Sequence, residues 1–419
     1  MTQTTGTHAL LAPSRLRRAA AVFGPGLVVM LADTDVGSVI TAGQSGAQWG
    51  YRLLLLQFVL MPILYMVQEL TVRLGIYTGR GHGELIRDTF GRSWAYVSVA
   101  GLAVATMGAL ITELSGVAGV GELYGVPRGV SLTLATVALL SVVMTGSYRR
   151  VERVAIALGL FELAFFVVAW MAHPSLAEIG AGMIQIPYDN KDYVYLAAAN
   201  IGAVIMPWMV FYQQSAVAEK RLQPEHLGAA RLDTALGAII TQLVMAAVLV
   251  AVAATIGHTT PDASLKTVGE MSGALTPFLG EGLGQLVFSL GVLGAGMVAA
   301  LVATLALAWG VGEVAGFKRS LDLGPKQASW FYGVYAVCVV GCALGVAVSP
   351  DLVDLNIGVQ IMNALLLPLV LGFLIALAMK ALPEPVRLRG PYLWVVIVVT
   401  VLTTALGVFG GLQGAGWAG

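Results

Sequence analysis

Apolar stretches of about 20 residues, the length of helix that crosses a hydrocarbon core about 30 Å thick, recur from residue 22 onward. The pattern predicts eleven membrane helices, over 22–46, 50–76, 94–123, 128–147, 151–172, 193–219, 231–257, 279–313, 329–348, 352–380 and 391–411. Short polar segments carrying most of the arginines and lysines join them. The longest, "HPSLAEIGAGMIQIPYDNKDY" and "HTTPDASLKTVGEMSG", are too short for a folded domain. The chain reads as an all-α polytopic membrane protein: a tail over 1–21, a membrane core over 22–380 and an additional C-terminal helix within 381–419.

Two of the predicted helices carry residues that a membrane helix avoids. The first contains "LADTDVGSVITAGQSG", with Asp33 and Asp35 at its middle and Gly37 loosening the backbone just after them. The sixth contains "NIGAVIMPWMVFYQQSA", where Pro207 lacks an N–H and clashes with the preceding turn. Both helices are expected to be broken at mid-membrane. Unwound backbone cannot face lipid, so it is buried in protein or lines a wet cavity. Breaks at matching positions, first helix and sixth, mark a five-plus-five inverted repeat of the LeuT type, here about 22–172 and 193–380. Such folds bind cargo near the midplane between the two broken helices. Burying one charge there costs about 2.5–3.5 kcal/mol on insertion scales, so acids at that depth are usually functional.

Composition agrees with the pattern. Of 419 residues 58% are hydrophobic and 11% charged, against a usual charged share of about 25%. A formal net charge of zero offers no basis for a nucleic-acid partner. The basic residues are distributed unevenly. With the N-terminus inside, 19 of the 23 lysines and arginines fall on the cytoplasmic side, and only Arg52, Arg128, Lys191 and Lys266 fall outside. That asymmetry predicts a cytoplasmic N-terminus and an external C-terminus in a plasma (inner) membrane. Cys338 and Cys342, at i,i+4 in one apolar stretch, read as packing residues. The segment before Arg15 has no apolar core of the kind a cleaved signal carries.

The segment "GPGLVVMLADTDVGSVITAGQSGAQWGY" and the following "ELTVRLGIYTGRGHGELIRDTFG" resemble the first two helices of the Nramp family of divalent-metal transporters. "ITELSGVAGVGELYGVP" resembles that family's third helix, "YRRVERVAIA" the start of its fifth, and "IGAVIMPWMVFYQQSA" its sixth. The family's first-helix motif, DPGN, falls on Asp35, Val36, Gly37 and Ser38, and its sixth-helix MPH on Met206, Pro207 and Trp208. The resemblance therefore implies metal ligation by Asp35, Ser38, Met206 and the Ala203 carbonyl, with Asp33 as an extra acid. The departures concern titratable groups. Trp208 replaces the family's histidine, and Gly116 stands where a glutamate follows the acid matched here by Glu113. Met297 takes the place of an eighth-helix glutamine, Leu366 that of a tenth-helix one, and the ninth helix has no arginine. Together with the second acid, this pattern resembles the Nramp-related magnesium transporters. It implies import of Mg²⁺, and also Mn²⁺, without proton coupling.

Elementary chemistry fits that implication in part. Mg²⁺ takes hard oxygen ligands and dehydrates reluctantly, which suits Asp33, Asp35, Ser38 and carbonyls near Ala203 and Ile205. The thioether of Met206 suits softer ions such as Mn²⁺ or Fe²⁺, or is simply packing. Asp33 faces the same ion as Asp35 only where the segment is extended. Glu69 and Arg73, at i,i+4, are expected to pair, the alternative being an inner gate. Asn200 and Gln214 flank the sixth-helix break and serve either second-shell waters or helix–helix hydrogen bonds; Asn363 and Gln44 are similar. Glu113 and Glu162 are intramembrane acids without an evident partner. A proton-coupled Mn²⁺/Fe²⁺ symporter is the alternative within the same class, and a passive cation channel a more distant one. A membrane aspartyl hydrolase needs its two acids on different helices and is disfavoured. The expectation is a monomeric carrier, not an enzyme, with no cofactor and with the ion and the bilayer as its partners.

Overall fold

A membrane segment must satisfy its backbone hydrogen bonds internally, which leaves helices as the natural element for these apolar runs. The computed structural model describes residues 22–259, 265, 267–280, 282–348 and 354–414. Among them every regular element is a helix. The predicted tail over 1–21, with Arg15, Arg17 and Arg18, lies outside the described residues, as does Lys266. In chain order the α-helices are α1 (Pro25–Asp33), α2 (Val36–Trp49), α3 (Leu54–Thr78), α4 (His82–Phe90), α5 (Arg92–Leu123), α6 (Arg128–Met144), α7 (Tyr148–Gly159) and α8 (Ala164–Met171). They continue with α9 (Leu176–Met183), α10 (Lys191–Val204), α11 (Pro207–Glu219), α12 (Leu227–Thr259), α13 (Val268–Leu279), α14 (Leu283–Ala315), α15 (Ser329–Val348), α16 (Asp354–Lys380) and α17 (Gly390–Gly414).

Among the described residues nine helical stretches are long and apolar enough to cross a bilayer, and the bent pair α1–α2 makes a tenth. The apolar α6, at 17 residues, completes the pattern of eleven. The first span is α1 plus α2, bent by 48°, and the sixth is α10 plus α11. The fifth is interrupted as well: a turn of 3₁₀ helix, Leu160–Leu163, separates α7 from α8. Three short helices, α4, α9 and α13, occupy stretches expected to be connections.

The sixth span sits at the centre of the molecule. Its apolar window is 94% buried, against 28% for the fifth span and for α17. Around it α12 packs on α1, α2 and α3, α14 packs on α5, and α10 packs on α16 and α17. The approach of α10 to α16 is close enough to require glycine: a Cβ on Gly202 would lie 1.8 Å from the Gln360 carbonyl oxygen.

Candidate functional site

Both breaks free backbone groups, and the two spans satisfy them with each other and with α5. At the first, α1 ends at Asp33 and the chain runs through Thr34 (φ −77°, ψ 54°) into the extended Asp35 (φ −76°, ψ 169°). Asp35 is the N-cap of α2: its Oδ1 accepts from the Ser38 amide at 2.6 Å, as a capping carboxylate does. The Val36 amide donates instead to Glu113 Oε2 on α5, at 3.0 Å. At the second break Pro207 has no N–H to offer the carbonyl four residues earlier. That carbonyl belongs to Ala203, and the Ser38 hydroxyl donates to it at 2.9 Å. Ile205 and Met206 then run extended into α11. One serine thus bridges the two interruptions, and the Ala203 oxygen keeps a second lone pair.

The acids are buried and only partly partnered. Asp33 and Asp35 are each 1% exposed. Asp33 Oδ1, Asp35 Oδ2, Glu113 Oε1 and both Glu162 oxygens have no hydrogen-bond partner. The Asp33 carboxylate turns toward α12, where Thr241 Oγ1 lies 3.5 Å from its Oδ2. Asp35 faces Ser38. The two acids of the motif therefore do not point alike, because Thr34 between them leaves the extended conformation that would put both on one face. Among the described residues no three His, Cys, Asp or Glu side chains converge closely enough to hold an ion by themselves. A cation here would have to draw on carbonyls, hydroxyls and amides as well.

Such groups come from α16, which the sequence reading undervalued. Asn356, Gln360 and Asn363 lie at i, i+4 and i+7, on one helix face. Gln360 Nε2 lies 2.2 Å, and Asn356 Oδ1 3.0 Å, from where a Cβ on Gly37 would be. Gly37 lets this polar face reach the break. Asn363 donates to Gln360 Oε1 at 3.1 Å, and the Asn356 amide has no partner on either end. The missed signal was the i, i+4, i+7 spacing of amides in an otherwise apolar run.

Other expected residues are sorted by their contacts. Asn200 donates to Ser45 Oγ (2.8 Å) and to the Leu196 carbonyl, and accepts from Gln57 (2.6 Å). It ties α10 to α2 and α3. Gln214 accepts from His82 Nδ1 at 2.9 Å and donates to the Arg80 carbonyl, holding α4 against α11. Burial pushes the His82 imidazole down to about 4, so it is neutral at physiological pH. Gln44 accepts from the Leu265 amide at 2.7 Å. Trp208 is fully buried in the core with its indole N–H unpartnered. Met297, with Val117, Val120 and Leu293, lines an apolar cavity of about 400 Å³ between α5, α6 and α14.

At the far end of α1 lies a second cluster. Glu69 accepts from Arg73 (2.6 Å) as expected, and also from Arg231 on α12 (2.6 Å). Asp233 takes the amides of Gly24, Gly26 and Leu27 at 3.1, 2.8 and 3.2 Å, capping α1. Lys220 donates to the Phe23 carbonyl and to Glu152, both at 2.7 Å. Arg231 and Asp233 come from the start of α12, more than 160 positions from Glu69, and only packing reveals them.

With this geometry in hand, comparison with known proteins identifies the fold. Residues 26–413 match the family model described as natural resistance-associated macrophage protein-like, Nramp. The chain is 30% identical over 310 residues to the divalent metal cation transporter MntH of Brucella suis, an alignment covering 70% of this chain and 67% of that one. It is 29% identical over 305 residues to the protein of the same name in Agrobacterium fabrum, covering 70% and 66%. Among solved structures, a manganese transporter of Eremococcus coleocola superposes with a TM-score of 0.78 at 18% identity, over 98% of this chain and 88% of that one. A nucleobase-cation-symport-1 family transporter in a closed conformation gives 0.59 at 15% identity, over 94% and 92%. The match over residues 26–413, on a membrane fold broken in its first and sixth spans, places this chain in the Nramp family.

Proposed function

We propose that this protein is a carrier for divalent metal ions, with Mg²⁺ and Mn²⁺ as cargo, working by alternating access between two five-span repeats. The observation that supports it is the meeting of the breaks: a freed Ala203 carbonyl, the Ser38 hydroxyl and the Asp35 carboxylate converge, with Asp35 Oδ2 unpartnered and sealed from solvent. Met206, three positions after Ala203, is the N-cap residue of α11. Hard oxygens with amides from α16 within reach suit Mg²⁺ and Mn²⁺, and the thioether favours the softer of the two. The relatives named for divalent cations and manganese agree with this cargo class. On this reading the arginine-rich side is cytoplasmic. On that side α1 is tied down by Asp233 and Lys220.

Ions cross without protons on this reading, because Trp208 and Gly116 cannot exchange them. A Cβ on Gly116 would lie 2.5 Å from Val36 Cγ1, so a larger side chain there has to displace the Val36 side chain. One observation favours the proton-coupled alternative: Glu113 remains at the break, on the Val36 amide. The test is uptake of Mg²⁺ and Mn²⁺ by liposomes holding the purified protein. Saturable uptake of both, with Ca²⁺ excluded, is expected; no uptake of any divalent ion would overturn the reading.

A further inference from the structure

Glu162 is the intramembrane acid that the proposed ion site leaves unused. It lies on the 3₁₀ turn that interrupts the fifth span, is fully buried, and has both carboxylate oxygens without a hydrogen-bond partner. A Cβ on Gly159, just before that turn, would lie 2.7 Å from Leu31 Cβ, so the turn packs against the end of α1 that carries Asp33 and Thr34. Thr34 Oγ1 lies 2.6 Å from Thr241 Oγ1, which in turn lies 3.5 Å from Asp33 Oδ2. Asp33 Oδ1 is also unpartnered. On the α1 side of the first break, then, two buried carboxylates from different spans flank two hydroxyls, one from Thr34 beside Asp33 and one from Thr241 on α12.

Among the described residues no lysine or arginine forms an ion pair with Asp33, Asp35, Glu113 or Glu162. A buried carboxylate cluster without a cationic partner is strongly unfavourable. When all four are ionised, one dication beside Asp35 and Glu113 offsets two carboxylates and leaves two. The leftover pair, Asp33 and Glu162, is the pair that turns away from Ser38 and Ala203.

We infer that Asp33, Glu162, Thr34 and Thr241 form a second divalent-cation site, next to the Asp35 site and on the α1 side of it. It rests on the carrier reading and adds a second stop for the ion. Four oxygen donors with no sulfur suit a hard, partly hydrated ion. This assigns the second acid of "DTD" a task that Asp35 does not share. It also gives a reason for an acid at the 3₁₀ turn, where a lipid-facing span would carry none.

The probe is Mn²⁺, added to the purified full-length protein in nanodiscs and counted per chain at saturation, with the Mn²⁺ electron paramagnetic resonance spectrum recorded alongside. Two ions per chain are expected, with lines broadened because neighbouring Mn²⁺ ions relax each other. Glu162→Gln keeps the side chain's shape and removes its charge. It should lower the count to one, restore sharp lines, and leave the remaining ion's affinity within about twofold. Thr241→Val, a milder change, should weaken only the second ion, which keeps the inference testable if the glutamine variant does not fold. A wild-type count of one, or a count of two that neither variant alters, would overturn the second site and leave the carrier reading standing. A count of zero would overturn both.

Discussion

At Asp35 the two carboxylate oxygens have different duties. Oδ1 caps α2 through the Ser38 amide, and Oδ2 is left facing the break. Asp35→Ala removes both, so a cap worth about 0.5–2 kcal/mol is lost along with the ligand. The variant should remain folded, lose the tight ion by titration calorimetry, and show no uptake; unchanged tight binding in folded protein would take Asp35 out of the site. Met206 is the residue where two readings separate. A thioether ligand favours Mn²⁺ over Mg²⁺, so Met206→Ala should cut Mn²⁺ uptake about tenfold, equivalent to about 1.4 kcal/mol, with Mg²⁺ uptake changed much less. Equal losses for both ions would make it a packing residue of the core cluster to which it belongs.

The broken sixth span owes its shape to a single missing N–H. Pro207→Ala returns a donor to the Ala203 carbonyl, which then has a helical partner and competes with Ser38 for it. The span should straighten: melting temperature should rise, while uptake falls at least tenfold. A variant that transports normally would show that the carbonyl need not be free. Where α10 meets α16 the constraint is steric. A Cβ on Gly202 would meet the Gln360 backbone oxygen at 1.8 Å, and backbone cannot rotate aside as a side-chain tip can. Gly202→Ala should part the two helices at a cost of about 1–3 kcal/mol, the usual range for overpacking. It should also pull Gln360 from Gly37, lowering melting temperature and ion affinity together. An unaltered melting curve would mean that α16 yields easily.

For the whole molecule the question is what drives the ion. Two positive charges cross per dication, so a potential of 100 mV supplies about 4.6 kcal/mol, twice the single-charge figure, and import needs no second ion. Mn²⁺ influx into liposomes holding a fixed inside-negative potential should follow that potential and leave an internal pH dye unchanged. Metal-dependent acidification, absent in Asp35→Ala, would favour the proton-coupled alternative and give Glu113 a part in it. At the far end of α1, Asp233 on three amides and Lys220 on the Phe23 carbonyl tie that helix to α12 and α11.

The sequence by itself determined the spans, the two breaks and the family resemblance, because these follow from local properties. A run of apolar residues has a length, a proline lacks a donor wherever it stands, and "DTD" is acidic in any fold. The 3₁₀ interruption of the fifth span left no such mark, since "LFEL" contains neither proline nor glycine. Tertiary structure alone decided the partners. It separated Asp33 from Asp35 by turning one toward Thr241 and the other toward Ser38. It made Asn200 a tie between helices, moved Met297 to an apolar cavity, and brought the amides of α16 to Gly37. Apart from the local Asp35–Ser38 cap, these contacts join residues more than a hundred positions apart. In a bundle whose lipid-facing and core-facing side chains are equally apolar, the pattern along one helix does not say which neighbour it will meet.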